Sequence, residues 1–201
     1  MSEPVLNILA VTGSLKKESV TRVVIRHAAA AMTAAGCAVD ILELLEEPLP
    51  LFNPDSARSL PGFPALQARV AKADVFLLGT PDYHGGMSGA MKNFLDHFWQ
   101  EFAGKLFVPV VASHEKGLTV IDDIRTTARQ CYAWTLPYGV SFIEKGDVQS
   151  GKVVSDGLLQ RLEMTTRDAT VYGRLLASQR RADSGRNRCR IPRKAPQMSV
   201  R

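Results

Sequence analysis

Two short loops in this 201-residue chain hold the residue types that binding chemistry needs. The first reads Thr12-Gly13-Ser14-Leu15-Lys16-Lys17-Glu18-Ser19-Val20-Thr21, where an apolar run gives way to a helical pattern. Hydroxyl donors, the free N–H groups of a helix start and the positive end of the helix dipole converge there, a combination suited to one terminal phosphate. Gly13 stands alone, so the three spaced glycines of a dinucleotide loop are missing, and no Gly-Lys-Ser/Thr sequence marks a triphosphate loop. The competing reading is structural: Ser19 caps the helix and the lysines face water. The second loop, Pro81-Asp82-Tyr83-His84-Gly85-Gly86-Met87-Ser88-Gly89, sets an aromatic and a histidine among three glycines. Glycine lets a backbone approach a flat ligand closely, and N–H groups there can bond ring heteroatoms. An exposed turn with a solvated histidine is the alternative.

These loops need a frame that brings them together. Residues 5–11 and 75–78 are nearly continuous apolar runs, as expected of strands covered on both faces. Further strands are predicted over 39–44, 106–112 and 137–142. Val20, Val23, Val24, Ala28, Ala31 and Ala35 recur at helical spacing, with Gly36 placed to end the helix. Met87, Ala90, Met91, Phe94, Leu95 and Phe98 form a second apolar stripe, with Ser88 as its cap. Helices are also predicted near 66–73, 118–136 and 158–176, and the four prolines within 47–63 mark an irregular loop. Strand–helix alternation repeated five times predicts a parallel sheet with helices on both faces. Ligands in such sheets sit beyond the carboxyl ends of the strands, which selects the loops after Val11, Leu78 and Val111.

The segment from Gly13 to Ser19, taken with Pro81 to Gly85 and Ser88-Gly89-Ala90-Met91-Lys92-Asn93-Phe94-Leu95-Asp96, resembles the NAD(P)H-dependent FMN reductase family. That family is flavodoxin-like and includes flavin, quinone, azo and chromate reductases. Leu49-Pro50-Leu51-Phe52-Asn53-Pro54-Asp55 resembles its loop after the second strand, and the likeness covers roughly residues 5–176. It implies an α/β three-layer sandwich with a five-stranded parallel sheet of order 2-1-3-4-5. It also implies bound FMN and NADPH or NADH as the electron donor. A hydride would pass through the flavin to a flavin, quinone or similar small acceptor. By position in the motif, Ser14, Lys16, Ser19 and Thr21 stand where the phosphate is gripped. Lys16 replaces the family's common arginine, keeping the charge without the bidentate fork. Pro81, Asp82, Tyr83, His84 and Gly85 match the segment along the isoalloxazine ring, with Ser113 and Gly117 at its pyrimidine end. Lys92, Asn93 and Asp96 fall in a region of subunit contacts, so a homodimer or homotetramer is expected.

Composition bounds the alternatives. The chain is 45% apolar and 22% charged, with a net charge of +5, which is enough apolar content for one domain without staples. Arg180, Arg181, Arg186, Arg188, Arg190, Arg193, Lys194 and Arg201 face only Asp183 in residues 180–201, a net of +7, leaving −2 for the body. Residues 1–179 are therefore expected to form the FMN-binding domain and 180–201 a basic, disordered tail. A strongly acidic docking face would favour a non-enzymatic electron carrier; a body at −2 does not. Nucleic-acid binding would rest on the tail alone. Cys37, Cys131 and Cys189 form no CxxC motif, and His27, His84, His97 and His114 show no ligand spacing with them, so no metal is expected. No apolar run spans a bilayer and no leader sequence is recognisable, so a cytoplasmic location is expected.

Overall fold

The computed structural model describes residues 4–114 and 117–185. Strand β1 (Asn7–Thr12) leads to helix α1 (Val20–Ala34) and strand β2 (Ala38–Glu43). Then follow α2 (Phe63–Lys72), β3 (Val75–Tyr83), the short return strand β4 (Gly86–Met87), α3 (Gly89–Asp96), β5 (Leu106–Ala112) and α4 (Leu118–Gln130). The chain continues through β6 (Trp134–Thr135), β7 (Val140–Phe142), an irregular turn α5 (Glu144–Asp147), the hairpin β8 (Val148–Gln149) and β9 (Lys152–Val153), and the long helix α6 (Asp156–Gly185). The main sheet runs β2-β1-β3-β5-β6 in parallel, with β7 also beside β5. This is the expected flavodoxin-like order.

Alternation along the strands separates two apolar layers. Leu9, Val11, Phe76, Leu78, Phe107 and Val111 face α2, α3 and α4 through Leu66, Val70, Met91, Phe94 and Ile124. Ile8, Ala10, Val75, Leu77, Val108 and Val110 face α1 and α6 through Val24, Ile25, Ala28, Leu162 and Ala169. Phe102 meets both Phe76 and Phe107 edge-to-face, each with centroids 5.0 Å apart, a geometry that aligns ring edges with ring faces. The proline-rich loop before α2 is pinned by Asn93. Its Oδ1 accepts the Phe52 N–H at 2.7 Å and its Nδ2 donates to the Pro50 carbonyl at 3.0 Å.

Three expected boundaries move. Of the predicted fifth strand, 137–142, only 140–142 forms as β7, while β6 falls inside the stretch predicted as helix; four residues, 136–139, lie opposite only Val108 and Pro109 between them, and Pro137 has no N–H to give the ladder. Helix α4 stops at Gln130 rather than near 136, and Tyr132 adopts a φ of 56° just after it. Helix α6 runs through the expected domain boundary at 179/180 as far as Gly185. Arg180 and Arg181 there both bond Asp74, a buried carboxylate that also accepts the Asn7 N–H at 3.1 Å. Residues 186–201, the rest of the expected tail, lie outside the described residues.

Beside this cluster Lys105 is 4% exposed. Its Nζ donates to the carbonyls of Val70 at 2.7 Å and Ala71 at 2.8 Å, satisfying the last turn of α2. Burial pushes its pKa down to about 7, and Arg180 adds to the effect while Asp74 and Glu101 oppose it. An unfolded lysine holds its proton to a pH of about 10.4, so between the two values the unfolded chain binds more protons and stability rises with pH. Urea denaturation should show a gain of about 1–2 kcal/mol between about pH 7.5 and about pH 9. The gain should vanish in Lys105→Met; an equal slope in both proteins would refute the assignment.

Candidate functional site

The first loop leaves β1 at Thr12, and the Gly13 N–H donates to the Gly79 carbonyl at 2.7 Å. A Cβ on Gly13 would stand 2.8 Å from the Met91 Cβ, so no larger residue fits between the loop and α3. Ser19 caps α1, its Oγ accepting the Arg22 N–H at 3.2 Å. The Arg22 Nε donates to Glu43 Oε2 and its Nη1 to the Lys17 carbonyl, both at 2.5 Å. Arg22 thereby takes up a loop carbonyl that would otherwise oppose an anion. Ser14, Ser19 and Thr21 are all buried, and the Thr12 Oγ1 is buried with no partner among the described residues.

The second loop is a hairpin. Strand β3 extends past the predicted Leu78 to Tyr83 and pairs back with β4, Tyr83 opposite Gly86. His84 and Gly85 form the tip with φ of 57° and 81°, the two left-handed residues of the tight turn that matches strand twist. Ser88 joins this loop to the first. Its Oγ donates to the Gly13 carbonyl at 2.7 Å and accepts the Met91 N–H at 3.1 Å, and its own N–H donates to Thr80 Oγ1 at 2.9 Å. Asp82 joins the second loop to the third. Its Oδ1 accepts the Gly85 N–H at 2.8 Å and its Oδ2 accepts the Ser113 hydroxyl at 2.9 Å.

A cleft of about 200 Å³ opens where the three loops meet. Ser14, Lys16, Ser19, Val20 and Thr21 line it from the first loop, Pro81, Asp82 and Tyr83 from the second, and Ala112, Ser113 and His114 from the third. Glu144, after β7, completes the wall, and its carboxylate meets Lys16 Nζ at 3.2 Å. Eight of the residues singled out from sequence thus come together. His84 and Gly85 form the hairpin tip and Gly117 starts α4, outside the lining. Ala112 and His114 stand next to the predicted Ser113 and could have been read with it. Glu144 carries no local signal, since only the parallel pairing of β7 with β5 delivers it. Among the described residues no group of three or more His, Cys, Asp or Glu side chains is placed to hold a metal ion.

The donor set fits a flavin mononucleotide. Buried hydroxyls at Ser14, Ser19 and Thr21, the α1 N-terminus and Lys16 suit its phosphate, and the exposed ring of Tyr83 with Pro81 offers a flat rim. Strand order, layers and the placement of this cleft define a flavodoxin-like α/β protein with its cleft at the carboxyl ends of the strands. The chain belongs to the NADPH-dependent FMN reductase family, which its residues 6–147 match. It is 30% identical over 155 residues to an NADPH azoreductase of Bacillus sp. (strain OY1-2), covering 75% of this chain and 84% of that one. It is 32% identical over 99 residues to an FMN-dependent NADPH-azoreductase of Staphylococcus haemolyticus, covering 47% of this chain and 53% of that one. The fold is similar to that of FerB, a flavoenzyme NAD(P)H:(acceptor) oxidoreductase from Paracoccus denitrificans, with a TM-score of 0.68 at 17% identity over 84% of this chain and 97% of the other.

Replacing Ser88 by alanine strands the Gly13 carbonyl and the Met91 N–H in a buried setting. Ser88→Ala should cost about 2–3 kcal/mol of stability by urea denaturation. A loss below about 0.5 kcal/mol would show that the two loops hold their positions without this hydroxyl.

Proposed function

We propose that this chain is an FMN-dependent NAD(P)H oxidoreductase that delivers reducing equivalents to a flavin, quinone, azo compound or similar small acceptor. The observation that carries the reading is the meeting of three strand-end loops around buried hydroxyls, with Ser88 and Asp82 tying them together. FMN, when bound, supplies the two-electron relay between the nicotinamide and the acceptor. The chain's own residues bind and orient. Ser14, Ser19 and Thr21 donate to the phosphate and Lys16 offers its charge. Pro81, Asp82 and Tyr83 flank the ring, and Ser113 is aimed by Asp82 toward the same end of the cleft. His84 and Gly85 serve by setting the hairpin, and Gly117 by starting α4 close behind Ser113, where a Cβ would stand 3.3 Å from the Ser113 Cβ. Tyr83 is 56% exposed, which leaves its side of the cleft open to donor and acceptor in turn.

A homodimer or homotetramer belongs to this proposal. Leu15 and Leu51 stand exposed around a shallow apolar depression that also includes Leu45, Leu49 and Ala90, next to the cleft; burial of such a patch favours association. A cytoplasmic setting is supported by free thiols at Cys37 and Cys131. No described helix is long and apolar enough to cross a membrane. Two of the eight basic residues from 180 onward are engaged by Asp74, which weakens the tail as a nucleic-acid contact.

The purified protein with added FMN should show flavin visible absorbance shifted from that of the free cofactor. It should oxidise NADPH or NADH in the presence of quinone, azo or free flavin acceptors. A folded, colourless preparation that gives no heat on titration with FMN would overturn the proposal. Thr21→Val should weaken FMN binding roughly tenfold, the equivalent of about 1.4 kcal/mol, and leave riboflavin binding unchanged.

A further inference from the structure

The charges that wall the cleft are poorly matched to a phosphate. Among the described residues lining it, Lys16 is the one lysine or arginine, and the same wall carries two carboxylates, Asp82 and Glu144. The Asp82 oxygens are taken up by the Gly85 N–H and the Ser113 hydroxyl. Glu144 is different, because its partner is Lys16 itself. The turn that carries it is held in place: Asp147 Oδ2 accepts the Ile143 N–H at 2.8 Å, and Gly146 takes a φ of 113°. Glu144 therefore reaches the cleft from a fixed backbone, and Lys16 and Glu144 are both about half exposed. An exposed pair of this kind is weak and opens readily. Once it opens, the carboxylate still stands on the wall and repels an arriving phosphate.

We propose that Glu144 sets the affinity of the cleft for its flavin by competing with the FMN phosphate for Lys16, so that FMN is held as an exchangeable ligand. This rests on the reading of the cleft as an FMN site. Neutral donors at Ser14, Ser19 and Thr21 still recognise the phosphate, while Glu144 offsets part of the charge of Lys16. Riboflavin has no phosphate and is indifferent to the pair.

Titrating FMN and riboflavin by quenching of flavin fluorescence separates the possibilities. Glu144→Gln should lower the Kd for FMN about fivefold to twentyfold at low salt and shift riboflavin by less than about twofold, and Glu144→Lys should tighten FMN further. The gain should shrink as salt is raised. Glu163→Gln, a charge removal on the exposed face of α6, should change neither Kd. FMN affinity unmoved or weakened by Glu144→Gln, or riboflavin tightened to the same extent, would overturn the proposal while leaving the FMN site standing. Failure of wild type and variants to bind either flavin would sink both.

Discussion

One buried serine, through its hydroxyl and its backbone N–H, holds the site in shape. Ser88 answers the Gly13 carbonyl, the Met91 N–H and the Thr80 hydroxyl together, and each of these contacts fixes a different part of the cleft. The bond to Gly13 sets the height of the first loop above the sheet. The bond to Met91 caps α3, and that to Thr80 holds the return of the hairpin. All are out of reach of water, where an unmade hydrogen bond has no substitute. Gly13 completes the arrangement by having no side chain, since the Met91 Cβ occupies the space one would need. Asp82 does a comparable task nearer the surface, bridging the hairpin to Ser113.

Much of this frame is legible in the sequence. The apolar runs of β1, β3 and β5 are strands because both faces are covered, and the Ser19 and Ser88 caps follow from residue type and position. What sequence reading misses depends on distant partners. The hairpin after β3 is written in His84-Gly85 only once β4 is known to fold back. Asn93 reads as a polar helix face, yet it is the clamp of the proline-rich loop. The helix past Leu176 looks like the start of a basic tail, because nothing near it in sequence indicates that Asp74, over a hundred residues earlier, receives two of its arginines.

The two ends of the sheet use charge in opposite ways. At the amino end of β3, Asp74 is buried among Asn7, Arg180 and Arg181, with Lys105 close by. A carboxylate so deeply placed is tolerable only with cations and N–H donors around it, and losing one partner leaves a charge with no water to replace it. That cluster fastens α6 to the body. At the carboxyl ends, Lys16 and Glu144 meet in solvent, where the same kind of pair is easily parted.

That contrast bears on what kind of reductase site this is. A cleft that grips its cofactor by charge would match a dianion with several fixed cations, as phosphate sites with arginine forks do. Here the groups proposed to recognise the phosphate are mostly neutral: three buried hydroxyls and the start of α1. Neutral donors select by geometry and lose little when the ligand leaves, because water can take their place once the cleft is open. Arg22 braces the loop instead, bonding Glu43 through Nε and the Lys17 carbonyl through Nη1, with its Nη2 buried and without a partner among the described residues. The loop is thus braced for shape by one arginine, and among the described residues that line the cleft Lys16 alone brings a lysine or arginine charge, paired with Glu144, which is what the proposed exchange of flavin rests on.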